Sequence, residues 1–182
     1  MPVQVHRGEI EKQPGSVVAL GMFDGMHIGH RCVIARAVEI AHEMNLKSVV
    51  YTFSNHPRAI YDTAPREIMS VEQRRHVMLE MGVDTVDMVL FDRVFSELSP
   101  EAFLKQIIER HDVRVIVAGS DFTFGYKGQG TVDTLRAFSK TLGFCVCVVP
   151  FVMLDGEKVS STRIRKAMEA GDAELAKKLM EG

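Results

Sequence analysis

The densest chemistry in the chain lies in ten consecutive residues, Gly21-Met22-Phe23-Asp24-Gly25-Met26-His27-Ile28-Gly29-His30. Glycines at four-residue spacing let a backbone approach a ligand closely, and two imidazoles stand three residues apart with Gly29 between them. If a helix starts here, its free N–H groups and positive dipole end complete an anion site. His27 and His30 can then donate hydrogen bonds to phosphate oxygens whose charge grows during transfer, without acting as nucleophiles. The alternatives are a metal pair or two ordinary surface histidines. Beyond Asp24 no third Cys, His or carboxylate recurs nearby at ligand spacing, which favours phosphate over metal. The glycine spacing is not the dinucleotide Gly-x-Gly-x-x-Gly, and Gly-x-x-x-x-Gly-Lys-Ser/Thr is absent, so NAD-linked redox and P-loop chemistry both lose support. No Gly-x-Ser-x-Gly elbow is present either.

Three further segments carry reactive or recognition groups. Val159-Ser160-Ser161-Thr162-Arg163-Ile164-Arg165 places three hydroxyls beside two guanidiniums at a predicted helix start, a second anion cradle suited to the far end of a triphosphate. Taken alone, it reads equally as a Ser/Thr cap followed by solvated arginines. Gly119-Ser120-Asp121-Phe122-Thr123-Phe124-Gly125-Tyr126 offers aromatics in a glycine-flanked loop, a wall for a planar ring, with Asp121 for its polar groups. At least one of Phe122 and Phe124 is expected to plug the core. Phe53-Ser54-Asn55-His56-Pro57-Arg58 could turn His56 and Asn55 to the same cleft, although a turn set by Pro57 explains it almost as well.

The elements that must position these groups alternate between β-rich runs and helical stretches, the pattern of an α/β chain with a parallel sheet covered on both faces. The expected strands are Val17 to Leu20, Ser48 to Phe53, Thr85 to Phe91, Val113 to Ala118 and Phe144 to Phe151. Val33, Ile34, Ala37, Val38 and Ala41 recur at helical spacing, and Ser70 with Gln73 forms a capping box ahead of Val77, Met78 and Met81. Ser99-Pro100 opens a helix carrying Phe103, Leu104, Ile107 and Ile108, and Gly171-Asp172 separates two short C-terminal helices. The irregular stretches Ser54 to Glu67 and Ser120 to Gly130 each follow a strand, where an open parallel sheet binds its ligands.

Composition sets the bounds. A chain of 182 residues, 46% hydrophobic and 25% charged, is read as one globular domain over residues 1–182, not a disordered or fibrous one. The 22 Lys plus Arg against 24 Asp plus Glu leave a net charge of −2, so any basic site is local and no nucleic-acid partner is expected. No apolar run approaches a membrane span, and Met1 to Pro14 lacks the apolar core of a secretory signal. The three cysteines fit a reducing cytoplasm, and Cys145 and Cys147, on one face of a strand, are expected to be buried small hydrophobes.

In order and spacing, the four segments resemble the FMN adenylyltransferase domain of bacterial-type FAD synthetases, within the nucleotidyltransferase superfamily that bears His-x-Gly-His. Gly21 to His30 meets Gly-x-Phe-Asp-Gly-x-His-x-Gly-His in full, Ser160 to Arg165 meets Ser-Ser-Thr-x-x-Arg, and Asp121 to Gly125 meets Asp-Phe-x-Phe-Gly. Asn55 stands where the family's Phe-x-Pro-His-Pro has a proline, and Ser120 replaces a more usual acidic or larger residue. The resemblance implies a Rossmann-like doubly wound parallel sheet of about five strands, of nucleotidyltransferase type. It implies transfer of AMP from ATP to FMN, giving FAD and pyrophosphate, with Mg2+ as helper. By the same carry-over, His27, His30 and Arg165 are the catalytic candidates. Gly21, Phe23, Asp24, Gly25, Ser160, Ser161, Thr162 and Arg163 join them around ATP, while His56, Pro57, Asp121, Phe122 and Phe124 line the FMN side. Asp24 is expected to orient a histidine or to meet a hydrated metal. Family members often continue into a riboflavin kinase domain, for which this chain has no room, so FMN is expected to come from a separate riboflavin kinase or from another part of a longer protein.

The rivals are the same chemistry on another phosphorylated acceptor, a non-catalytic flavin or nucleotide sensor, and a fragment of a class I aminoacyl-tRNA synthetase. The Asp-Phe-x-Phe-Gly loop disfavours the first and retention of His27, His30 and Arg165 the second. The third lacks its Lys-Met-Ser-Lys-Ser type loop.

Overall fold

A computed structural model of the protein describes residues 14–182; the stretch Met1 to Pro14 read in the sequence lies outside it except for Pro14. Strands β1 (Ser16–Leu20), β2 (Lys47–Phe53), β3 (Thr85–Val89), β4 (Val113–Gly119) and β5 (Cys145–Val149) form one sheet in the order β3-β2-β1-β4-β5, every neighbouring pair parallel. The chain winds outward from β1 in both directions, which makes the carboxyl ends of β1 and β4 a topological switch point.

The two-residue period of the strands divides the core. Val17, Ala19, Val50, Val115 and Val117 face helices α1 (Ile28–Glu43) and α2 (Val71–Glu80). Val18, Leu20, Val49, Tyr51, Ile116 and Ala118 face α4 (Pro100–His111) and α5 (Val132–Leu142), the short α3 (Arg93–Ser96) lying between β3 and α4. Full burial of each such aliphatic side chain contributes roughly 1.5–3 kcal/mol. Helix α1 buries Val33, Ile34, Ala37, Ile40 and Ala41, with Val38 packed at the margin. The capping box of Ser70 and Gln73 opens α2, and Ser99 caps α4 with Pro100 in its first turn. Gly171 and Asp172 separate α6 (Ser161–Glu169) from α7 (Ala173–Glu181), which pack around Ile164 and Leu179.

Several expectations are corrected. Strand β3 stops at Val89 rather than Phe91, because the Phe91 backbone turns aside to pair with Asn55, donating to its Oδ1 at 2.8 Å and accepting from its Nδ2 at 2.9 Å. Strand β5 spans Cys145–Val149 rather than Phe144 to Phe151, and as an edge strand it leaves Cys145 exposed and Cys147 half-buried. The hairpin of β6 (Met153–Leu154) and β7 (Glu157–Lys158) was not read from the sequence, although its Asp155-Gly156 dipeptide, at φ 53° and 77°, is the usual signal of a two-residue turn. Among the described residues no helix is long and apolar enough to cross a membrane.

Candidate active site

A cleft of about 380 Å3 opens at the switch point. The segment after β1 forms its floor. Gly21 is required there by packing, since a Cβ would lie 2.8 Å from the Phe23 ring, which is 1% exposed and meets the His30 ring edge to face at 5.4 Å. Phe23 at φ 52° and Met26 at φ 45° hold the left-handed conformation that side chains disfavour. This loop is therefore shaped against local cost, as functional loops often are.

His27 is the N-cap of α1, and its Nδ1 accepts the His30 backbone N–H at 3.2 Å. In the neutral ring the proton must then sit on Nε2, leaving that N–H as the donor. The two imidazoles stack with centroids 3.5 Å apart and planes 17° from parallel. Gly29 leaves room for this, because a Cβ there would come within 3.2 Å of the His27 ring. Burial pushes the His27 imidazolium down to about 4, Lys158 adding to the effect while Asp121 opposes it. Burial also holds His30 well below the usual range, with His27 and Arg74 adding to it. Both rings are neutral donors at pH 7, and among the described residues the buried Nδ1 of His30 has no partner.

The segment before α6 approaches from the other side. Ser160 caps α6 by accepting the Arg163 N–H at 3.2 Å, and Ser161 Oγ donates to the Asp24 carbonyl at 2.8 Å. Both serines line the cleft; Thr162 is exposed and does not. Neither guanidinium lines it either. Arg163 donates to the carbonyls of Leu154 at 2.8 Å and Glu157 at 3.1 Å, bracing the hairpin. Arg165 is ion-paired with the buried carboxylate of Asp24 and donates to the Arg66 carbonyl at 2.8 Å. Asp24 thus meets an arginine rather than a histidine, and it also accepts the Ile68 N–H at 3.4 Å. Gly25, at φ 79°, packs under Ile68 beside it.

On the third side, Pro57, Asp121 and Phe122 line the cleft. Phe122 stacks on Phe124 at 5.6 Å and 13°, and Phe124, 6% exposed, is the core plug of the pair. His56 lies off the lining; its Nδ1 accepts the Arg58 N–H at 3.1 Å, capping the 3-10 turn Pro57–Tyr61, and burial lowers its pKa. Asn55 is spent on Phe91 and does not face the cleft. Two cations were missed in the sequence. Lys158, on β7, lines the cleft and pairs with Asp121 across its mouth, 5.2 Å from the Phe151 ring centroid. Arg74, on α2, is buried behind the floor. The Asp-Gly turn could have revealed the first, but nothing in the sequence separates Arg74 from Arg75.

Among the described residues no three His, Cys, Asp or Glu side chains cluster to hold a metal ion, and the cleft carboxylate Asp121 is already paired with Lys158. This donor set suits Mg2+ carried in by a nucleotide's phosphates with its own waters, rather than a resident ion.

Comparison with known proteins bears on the family and the fold. Residues 9–163 match the FAD synthetase family. A bifunctional riboflavin kinase/FMN adenylyltransferase of Bacillus subtilis (strain 168) is 38% identical over 173 residues, covering 93% of this chain and 54% of that protein. A putative enzyme of the same description from Geobacillus thermodenitrificans (strain NG80-2) is 33% identical, covering 92% of this chain and 90% of the relative. The chain spans about half the length of most curated relatives it matches. A crystal structure described as a macrolide-efflux protein from Streptococcus pneumoniae superposes with a TM-score of 0.82 at 31% identity, over 94% of this chain and 57% of that one. By the extent of the family match and the agreement of fold, the chain belongs to the FAD synthetase family.

Proposed function

We propose that this chain transfers AMP from ATP to the phosphate of FMN, giving FAD and pyrophosphate. An oxygen of the FMN phosphate attacks the α-phosphorus in line, and the bond from that phosphorus to the bridging oxygen breaks as pyrophosphate leaves. No protein nucleophile is needed. The observation that carries the reading is the stacked pair of neutral imidazoles at the start of α1, on the cleft floor beside Gly21. In the proposed complex the Nε2–H of His27 and the His30 ring donate to phosphate oxygens, and being uncharged they give up less hydration than imidazolium groups would. Ser160, Ser161 and the N-terminus of α6 take the far phosphates. Phe23 and Gly21 shape the adenylate side, and Asp121, Phe122 and Pro57 the flavin side. Thr162, Arg163 and Gly25 act on the nucleotide through the backbone they support, as Arg165 does through Asp24, and His56 and Phe124 similarly hold the flavin loops. Mg2+ bound to the triphosphate would neutralise charge as pyrophosphate departs.

The acceptor already carries a phosphate, so a riboflavin kinase must act first. The free thiols Cys32, Cys145 and Cys147 fit a reducing compartment such as the cytoplasm, and the net charge of −2 fits small-molecule rather than nucleic-acid partners. Incubation with ATP, Mg2+ and either FMN or riboflavin, followed by chromatography, tests the reading. FAD from FMN, with no FMN from riboflavin, is the expected result; absence of any product overturns it.

A further inference from the structure

Arg74 heads the fully buried side chains by volume, at 2% exposure, and belongs to none of the four segments that announce the site in the sequence. It stands in the first turns of α2, behind the cleft floor. One guanidinium nitrogen donates to the Met22 carbonyl at 3.0 Å and the other to the Phe53 carbonyl at 3.1 Å. Met22 belongs to the histidine loop, and Phe53 ends β2 where the His56 loop departs. Thr52 Oγ1 donates to the same Met22 carbonyl at 3.0 Å, so β2, α2 and the histidine loop converge on one oxygen.

The charge is answered only at a distance: Asp24 and Glu67 favour it against the cost of burial, and Asp24 is already ion-paired with Arg165. Among the described residues no carboxylate forms an ion pair with Arg74, and its Nε is buried with no partner, as is the Nδ1 of His30. An unpaired buried cation is costly, and an apolar residue would fill the same volume without that cost. Two backbone carbonyls solvate the guanidinium without cancelling its charge. Its field reaches the cleft floor, because Arg74 is among the groups that disfavour protonation of His30. With Asp24 shared with Arg165 and Glu67 forming no ion pair with the guanidinium, an anion in the cleft would complete the counter-charge.

We propose that Arg74 is a positioning residue of the phosphate site, holding the loops after β1 and β2 in register through the Met22 and Phe53 carbonyls and supplying positive charge behind the floor that a polyphosphate answers. This deepens the phosphate-transfer reading and rests on it. The test uses the full chain, with inorganic pyrophosphate as the probe in calorimetry and the His30 imidazole followed by NMR titration. Arg74→Met is expected to lose roughly tenfold or more in pyrophosphate affinity, the scale of a unit charge removed near a multiply charged anion. It is also expected to raise the pH at which His30 takes up its proton. Arg74→Lys, which keeps the charge, is expected to restore the His30 titration and most of the affinity.

Wild-type affinity with an unshifted His30 in Arg74→Met overturns the proposal, and so does an Arg74→Lys as weak as Arg74→Met. Should Arg74→Met not melt cooperatively, Arg74→Gln takes its place, keeping an amide donor without the charge. Gln weak and Lys strong is then the required order, and any other order overturns the proposal. FAD formation is measured separately on the wild type. Pyrophosphate binding that depends on Arg74 without FAD formation overturns only the assigned acceptor, whereas FAD formation with pyrophosphate binding indifferent to Arg74 overturns only the role of Arg74.

Discussion

The starts of α1 and α6 carry similar equipment to different ends. Both are capped helix N-termini with polar groups near the cleft, and in both the capping side chain belongs to a cleft residue, His27 in one and Ser160 in the other. At α1 the remaining ring, His30, is held by packing and keeps its hydrogen-bonding capacity unused. At α6 the arginines are consumed by the protein, Arg163 by the hairpin carbonyls and Arg165 by Asp24 and Arg66. A basic residue beside a helix start is thus no measure of anion binding; what counts is whether its donors are already taken.

The strongest way to break the contrast is at Arg165. Arg165→Met leaves the Asp24 carboxylate buried and unpaired, and the expected cost is about 3–5 kcal/mol of stability in urea unfolding. A second change, Asp24→Asn, should recover part of it. Full stability with lost pyrophosphate affinity would instead make Arg165 a phosphate ligand and erase the difference between the two helix starts. Next in size, His30→Ala should lower turnover by on the order of a hundredfold or more while the protein still melts cooperatively and still binds FMN. An unchanged turnover number would remove the first helix start from the chemistry.

A third outcome concerns protons. The native His27 ring protonates at about 4 and the unfolded one at 6.5, so as pH falls the unfolded chain binds protons first. Stability is full above about 6.5 and drains away toward 4, by about 2 kcal/mol from this one ring on reaching about pH 5. His27→Asn keeps a capping oxygen for the His30 N–H without a titrating ring, and its urea midpoint should vary less over that interval. The smallest effect is expected at Arg163. Its loss frees the hairpin carbonyls for about 1–2 kcal/mol of stability and should lower pyrophosphate affinity only slightly in calorimetry, through the hairpin it braces.

The five-stranded sheet was legible because apolar runs between capped helices admit few arrangements, and each of its five strands was found to within a few residues. What escaped depended on partners distant in sequence. Phe91 leaves β3 because Asn55, 36 residues away, captures its backbone. Cys145 is exposed because β5 lies at the sheet's edge, and strand order is not written in strand periodicity. At the site, residue types and spacing announced His27, His30, Ser160 and Asp121, whose backbones belong to short recognisable segments. They could not show that Arg165 faces Asp24, 141 residues earlier, nor that one arginine of α2 reaches two carbonyls behind the floor.

The edge position of β5 leaves a practical handle. Cys145 begins the strand, whereas Val149 and Pro150, at its other end, wall the cleft. Four residues of extended chain put roughly 13 Å between the thiol and that wall. The other two described thiols, Cys32 and Cys147, are half-buried. Brief treatment with a maleimide dye should therefore label one position selectively, giving a fluorescent reporter that senses the filling of the cleft without obstructing it.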